Sequence, residues 1–370
     1  MSITPRDLLF FIRRRIMVFD PVMLVALVML AATGLVTMYS AAFDYPGRFE
    51  LHVRNMMLAF VVMWIAAHVP PGWMMRIAVP LFLLGIALLV GVALFGEISK
   101  GARRWLNLGF GRIQPSELLK IATPLMLAWY FQRREGGLRW FDFLIAGILL
   151  AIPVALIIRQ PDLGTSLLVF AAGGAVIFLA GLSWKVIAAL LASAAAAAPL
   201  LWTLMHDYQR QRVLTLLDPS IDPLGKGFHI IQSTIAVGSG GLWGKGWMQG
   251  TQTHLEFIPE RTTDFIFAVF SEEFGLVGNL FLLGLYLILL TRGLVIASRA
   301  KTEFTRLFAG AITLTIFIYA FVNMGMVSGI LPVVGVPLPL MSYGGTAMVT
   351  LGLGCGLLMS IARNRHLRQS

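Results

Sequence analysis

The chain is 370 residues long, 58% apolar and only 13% charged, with a formal net charge of +11. Charged residues make up about a quarter of an ordinary soluble domain, so this balance excludes that class and points to an integral membrane protein. A single cysteine, Cys355, excludes an internal disulfide.

The start, DLLFFIRRRIMVF, mixes basic and apolar residues as an interfacial amphipathic helix does, and residues 1–20 are expected on the cytoplasmic surface. Ten apolar runs follow that approach the roughly 20 residues needed to cross a bilayer. They are Pro21–Ser40, Val53–Val69, Ile77–Phe95, Ser116–Phe131, Phe143–Ile158, Leu163–Gly181, Val186–Met205, Leu276–Ala297, Leu307–Ile330 and Gly344–Ile361. The first follows Arg13, Arg14 and Arg15 but is long and lacks a small-residue cleavage site, so it reads as a retained anchor and not a removed signal. An even number of spans puts both termini on one side. With the Arg-rich start inside, the whole +11 excess falls on the inner face and the outer face is balanced. Those basic residues are spread over short loops with no binding fold around them. Anionic headgroups, and not nucleic acid, are their partner. The expected fold is an all-α polytopic membrane protein, one membrane domain over 1–370, with ten spans, cytoplasmic termini and a large outer loop, 206–263, between spans seven and eight.

Two outer segments, Gly96–Pro115 and His206–Thr263, are too long and too charged to be connectors. They carry Trp105, Tyr208, Trp243 and Trp247 and are expected to fold back as short amphipathic helices and ordered loops. In GARRWLNLGFGRIQPSELLK, Pro115 suits the first turn of a helix, which sets Glu117 and Lys120 on one face at the membrane edge. Such a pair can be structural, letting both charges enter the membrane, or can line a pocket for an anionic substrate. Ionisable residues in spans are functional by default, and Arg104 and Arg112 add positive charge to the same mouth. In IIRQPDLGTS, Arg159 ends one span and Asp162 opens the next, where capping alone accounts for a carboxylate and a site role competes with it.

The large loop carries Arg210, Arg212 and Lys226, then VGSGGLWGKGW, whose glycines around Lys245 weakly resemble a backbone cradle for phosphate. Glu256, Glu260 and Asp264 recur every four residues and would form one acidic stripe if this stretch were helical. Asp264 directly precedes the apolar FIFAVF, which makes it the candidate general base, while Glu272 and Glu273 rank lower, as part of the same mouth or as a cap. Further on, GILPVVGVPLPLMSYGGTAM is too rich in Pro and Gly for a helix, and irregular backbone at membrane depth survives only inside protein or along a cavity. No Walker, GxGxxG, zinc-ligand or GxSxG pattern occurs, and the six histidines are scattered.

In this order GARRW, RIQPSELLK, QPDLGTS, DYQRQR, LDPSIDPLGKGFHIIQS, LEFIPERTTDFIFA and PVVGVPLPLMSYGGT resemble the SEDS (shape, elongation, division and sporulation) family of bacterial cell-wall proteins, from the first span to Gly356. The resemblance implies ten spans and a place in the bacterial inner membrane. It also implies polymerisation of lipid II into glycan strands, inverting, with undecaprenyl diphosphate as leaving group. The implied partners are lipid II and nascent glycan, a class B penicillin-binding protein that acts as transpeptidase, and other membrane proteins of the elongation complex. By motif, Asp264 is the implied catalytic residue, and Arg112, Glu117, Lys120, Asp162 and Glu256 are the implied polar lining. Arg104, Arg210 and Lys245 join them as substrate contacts on the residue-level reading. Thr346 stands where the family's SYGG is often followed by Ser and keeps the hydroxyl. No cofactor is certain, and a divalent cation, Mg or Mn, is the one candidate. The rival readings are a lipid-precursor flippase or transporter, a scaffold without catalysis, and a division-specific member of the same family. Charge at the outer ends of spans and the absence of a half-to-half repeat count against the transporter.

Overall fold

The computed structural model describes residues 19–99, 102–107, 112–134, 136–205, 207, 210–211, 214, 218, 226–255, 257–258 and 260–364. The amphipathic start therefore lies outside the described residues. In chain order the helices are α1 Pro21–Ala41, α2 Arg48–Ala66, α3 Pro71–Phe95, α4 Pro115–Gln132, α5 Trp140–Ile158, α6 Leu163–Leu179, α7 Trp184–Leu204, α8 Lys226–Ser239, α9 Thr251–His254, α10 Ile266–Ser298, α11 Glu303–Val327 and α12 Gly345–Asn364. Proline opens α1, α3 and α4, where its missing N–H has no helical partner to lose. Asp20 caps α1 by accepting from Met23 N at 3.1 Å and is gripped by Arg292 of α10 at 2.9 and 2.5 Å.

All ten apolar runs lie on helices. Seven of these, α1, α2, α3, α5, α10, α11 and α12, are long and apolar enough to cross a membrane by length and composition. The other three fall short of that measure; α6, for instance, has 17 residues.

One expectation fails outright in the segment 96–115. In place of short helices it forms a three-stranded antiparallel sheet, β1 Glu97–Ser99, β2 Ala102–Asn107 and β3 Arg112–Ile113, in the order β1-β2-β3. Glycines at 96, 101, 109 and 111 interrupt any helical run, whereas a strand pair needs only two or three residues. The fold is all-α apart from this meander.

Helix α11 is buried along most of its length and packs against α4, α6, α10 and α12. Close helix contacts are made by small residues. Any side chain on Gly352 or Gly356 of α12 would collide with the α2 backbone at Ala59 or Met63.

Helix α10 is broken. Gly275 has φ 64° and ψ −160°, so a short first part ends at Phe274 and the long part resumes at Leu276, where the eighth apolar run begins. Backbone from the Gly-rich turn 240–246 seals the break: Lys245 N donates to Glu272 O and Gly246 N to Glu273 O, both at 3.0 Å, while Leu276 N donates to Gly241 O at 2.9 Å and Val277 N to Leu242 O at 3.1 Å. Peptide groups released by the break thus find partners without water.

Candidate active site

Because α4 starts at Pro115, Glu117 and Lys120 fall on the face turned to α11. Lys120 Nζ lies 2.6 Å from Glu117 Oε1 and 2.7 Å from the hydroxyl of Tyr319, and Lys120 is only 3% exposed. Glu117 Oε2 is buried without a hydrogen-bond partner among the described residues. A purely structural pair would have both oxygens satisfied; this one keeps an acceptor in reserve.

Asp162 does two things at once. One oxygen caps α6, accepting from Thr165 N at 3.1 Å, and the other accepts from Gln114 Nε2 at 3.3 Å and lies 3.9 Å from Arg104 Nε. Arg104 also donates to Pro161 O at 2.6 Å, which ties β2 to the α5–α6 corner.

Two residues into α6, Gly164 packs on the Pro-rich segment so closely that an added Cβ would stand 2.6 Å from Val334 O and 3.3 Å from Gly335 O. Gly335 itself has φ +76°, and a Cβ there would lie 3.4 Å from Asp264 Oδ2. The Asp264 carboxylate and the Asp162 corner therefore approach the same two-residue stretch. From the other direction, Asn323 of α11 donates Nδ2 to Asp264 O at 2.8 Å and to Val336 O at 2.7 Å. Asn323 is one helical turn beyond Tyr319, the residue that holds Lys120. Lys120 of α4 and the backbone of Asp264 at the start of α10 thus meet α11 one turn apart, and the α5–α6 corner packs on the segment that follows α11.

The turn before Asp264 is not the expected helix. A four-residue α9 ends at His254, Glu260 has φ 52°, and Thr263 N and Phe265 N both return to Glu260 O. Pro259 in the sequence discourages helix before it, so Glu260 is exposed while Asp264 is half-buried. The turn is anchored to α1 and α2: Arg261 donates to Ala41 O at 3.0 Å and pairs with Asp44, and Arg48 donates to Thr262 Oγ1 at 2.6 Å.

Lys245 belongs elsewhere. Its ammonium lies 2.8 Å from Glu272 Oε1 and 2.7 Å from Thr251 Oγ1, and its backbone N–H and that of Gly246 seal the helix break, so these donors of the glycine-rich turn are engaged within the protein. Glu272, 0% exposed, further accepts from Gln252 N, Thr253 N and Thr253 Oγ1. Glu273 accepts from Ser40 Oγ and from Met248 N. Arg210 caps the end of α7, donating to Trp202 O at 2.9 Å and Thr203 O at 2.7 Å. Glu256 and the side chains of Arg112 and Lys226 lie outside the described residues, as does Arg212.

Residues 15–367 match the family model for FtsW, RodA and SpoVE, described as cell cycle protein. The chain belongs to the FtsW/RodA/SpoVE family. Over 353 residues, 94% of each chain, this member is 53% identical to the peptidoglycan glycosyltransferase MrdB of Escherichia coli K12, and over 316 residues it is 35% identical to MrdB of Helicobacter pylori J99, covering 84% of this chain and 82% of that one. A solved structure titled as the structural coordination of polymerization and crosslinking by a peptidoglycan synthase complex aligns with TM-score 0.82 and 33% identity, over 94% of this chain and 99% of that one. The crystal structure of the rod shape determining protein RodA of Thermus thermophilus aligns with TM-score 0.72 and 29% identity, over 94% and 98%.

In this FtsW/RodA/SpoVE chain, the residues that sequence reasoning missed are Gln114, Tyr319, Asn323 and Gly335. A signal was present for two of them, since Tyr319 and Asn323 are polar groups four apart in an otherwise apolar helix, which puts them on one face. Among the described residues no three His, Cys, Asp or Glu side chains converge as a metal site.

Proposed function

We propose that this chain is a multi-pass inner-membrane peptidoglycan glycosyltransferase of cell elongation, polymerising lipid II beside a class B penicillin-binding protein, with Asp264 as general base. The likeness to MrdB and to a chain of a peptidoglycan synthase complex supports the activity and the partnership. Lys120 and the Asp264 backbone held one turn apart on α11, with the Asp162 corner packed on the 334–335 backbone beside Asp264, support the site assignment. On this reading both termini are cytoplasmic and the 206–263 segment faces the periplasm.

In the reaction an acceptor sugar hydroxyl attacks the anomeric carbon of the growing chain. The new C–O bond forms as the bond from that carbon to the lipid diphosphate breaks, inverting the centre. Asp264 takes the hydroxyl proton, a role worth about 100- to 10,000-fold in rate. Lys120 and Arg104, with Arg112, offset the charge on the departing diphosphate. A divalent cation beside the diphosphate would add to that effect, and no step depends on it. Glu117 is the paired counter-charge of Lys120 at that buried position.

Asp264→Asn tests the assignment. Purified with its transpeptidase partner and given lipid II, that variant should be folded and make no glycan polymer; polymer at near-native rate would remove Asp264 from the mechanism.

A further inference from the structure

Asn323 is 0% exposed and sits on α11 among apolar residues. Its two hydrogen-bond partners, Asp264 O and Val336 O, are both carbonyl oxygens, which only accept. The amide nitrogen must therefore face them, and Oδ1, buried without a hydrogen-bond partner among the described residues, offers no competing arrangement. Asp264 O and Val336 O belong to segments far apart in sequence, and the Asn323 amide bridges them. One stands at the entry to α10; the other follows Gly335, whose backbone abuts the Asp264 carboxylate. One helical turn earlier on α11, Tyr319 holds Lys120.

We infer that Asn323 is a positioning residue for polymerisation: its amide clamps the Asp264 turn to the 335–336 backbone and, through the rigid spacing of α11, sets the Asp264 carboxylate at a fixed offset from the Lys120 ammonium. The inference rests on the general-base reading of Asp264. Asn323 touches no reacting atom. It acts on the reaction by fixing where the base stands, and a displacement of about 1 Å at such a group can cost on the order of 100-fold in rate.

The test uses the full-length chain purified with its transpeptidase partner, with turnover expressed per lipid II binding site, as titrated with labelled lipid II. Asn323→Asp is isosteric but has no N–H, and Asn323→Ser keeps one donor. The expected result is a kcat per site about 10- to 100-fold lower in Asn323→Asp and less reduced in Asn323→Ser, with KM for lipid II within about threefold of native. Native kcat per site in Asn323→Asp overturns the inference. So does a loss confined to the number of binding sites in both variants, which would mark Asn323 as a folding residue only; if Asn323→Asp alone fails to fold, native kcat per site in Asn323→Ser overturns it equally. Asp264→Asn is measured alongside. Polymer from that variant brings down the base assignment itself, whereas a dead Asp264→Asn beside a native Asn323→Asp brings down only the clamp.

Discussion

Two clusters of acidic residues lie within a dozen residues of each other in sequence, and they are built on opposite plans. At Glu272 the carboxylate is wholly buried and its oxygens take donors from Lys245, Thr251, Gln252 and Thr253, nearly all from one short stretch of chain. At Asp264 it is the backbone that is gripped, by Asn323, while the carboxylate stands beside the bare backbone of Gly335 with the partly satisfied Glu117–Lys120 pair close by along α11. Saturation of a carboxylate by local donors marks a structural knot. A carboxylate whose backbone is clamped by a distant helix that also holds a buried lysine fits a site.

The sharpest way to break this contrast is to exchange the consequences. Asp264→Asn should lower polymerisation by about 100- to 10,000-fold with little change in melting temperature. Glu272→Ala should do the reverse, costing about 3–5 kcal/mol of stability in a thermal melt, because it strands several donors, while turnover per folded molecule stays near native. If Glu272→Ala abolished turnover in folded protein, the two clusters would not be separable. Lys120 sharpens the boundary between them. Lys120→Met should destabilise by about 3 kcal/mol through the abandoned Glu117 carboxylate, and adding Glu117→Leu should recover most of that stability without restoring polymer.

The smallest effect belongs to Asp20 at the start of α1. Burial by itself would raise the Asp20 carboxyl, but the Arg292 hydrogen bonds, the Met23 N–H and the Arg292 charge together outweigh it and hold the group below the usual carboxylate range. A depressed value stabilises the fold fully above the ordinary carboxylate pKa and loses that contribution as pH falls through the lowered one. Melting followed as pH falls from 5 through and below the ordinary carboxylate pKa should therefore show an acid-dependent loss of stability that is missing in Asp20→Asn.

Hydropathy revealed nearly all the helices, because a run of apolar residues needs no knowledge of its neighbours. The β-meander escaped because its pairings join pieces two to six residues long, each too short to show a period. The Glu256, Glu260, Asp264 stripe depends on a helix, and the turn at positive-φ Glu260, just after Pro259 in the sequence, breaks that condition. Lys245 misled for a subtler reason. Glycines that free backbone N–H groups for a phosphate also free them for the carbonyls of a broken helix, and only the fold distinguishes the two. Asp162, Lys120 and Asp264 were legible as charges out of place in apolar surroundings, but that Tyr319 and Asn323 hold Lys120 and Asp264 depends on which helices face α11, which only the fold shows.

The seam at Gly275 carries one last implication. It is closed by peptide groups and not by side chains, so substitutions at Leu242, Trp243 and Lys245 leave those bonds in place, whereas Gly240, Gly241, Gly244 and Gly246 have no room for a Cβ or stand at positive φ. Adding or deleting a single residue there slips the alignment and turns four peptide hydrogen bonds loose at the head of the eighth apolar run. A stretch that on paper resembles slack linker is a place in this molecule where length matters as much as identity.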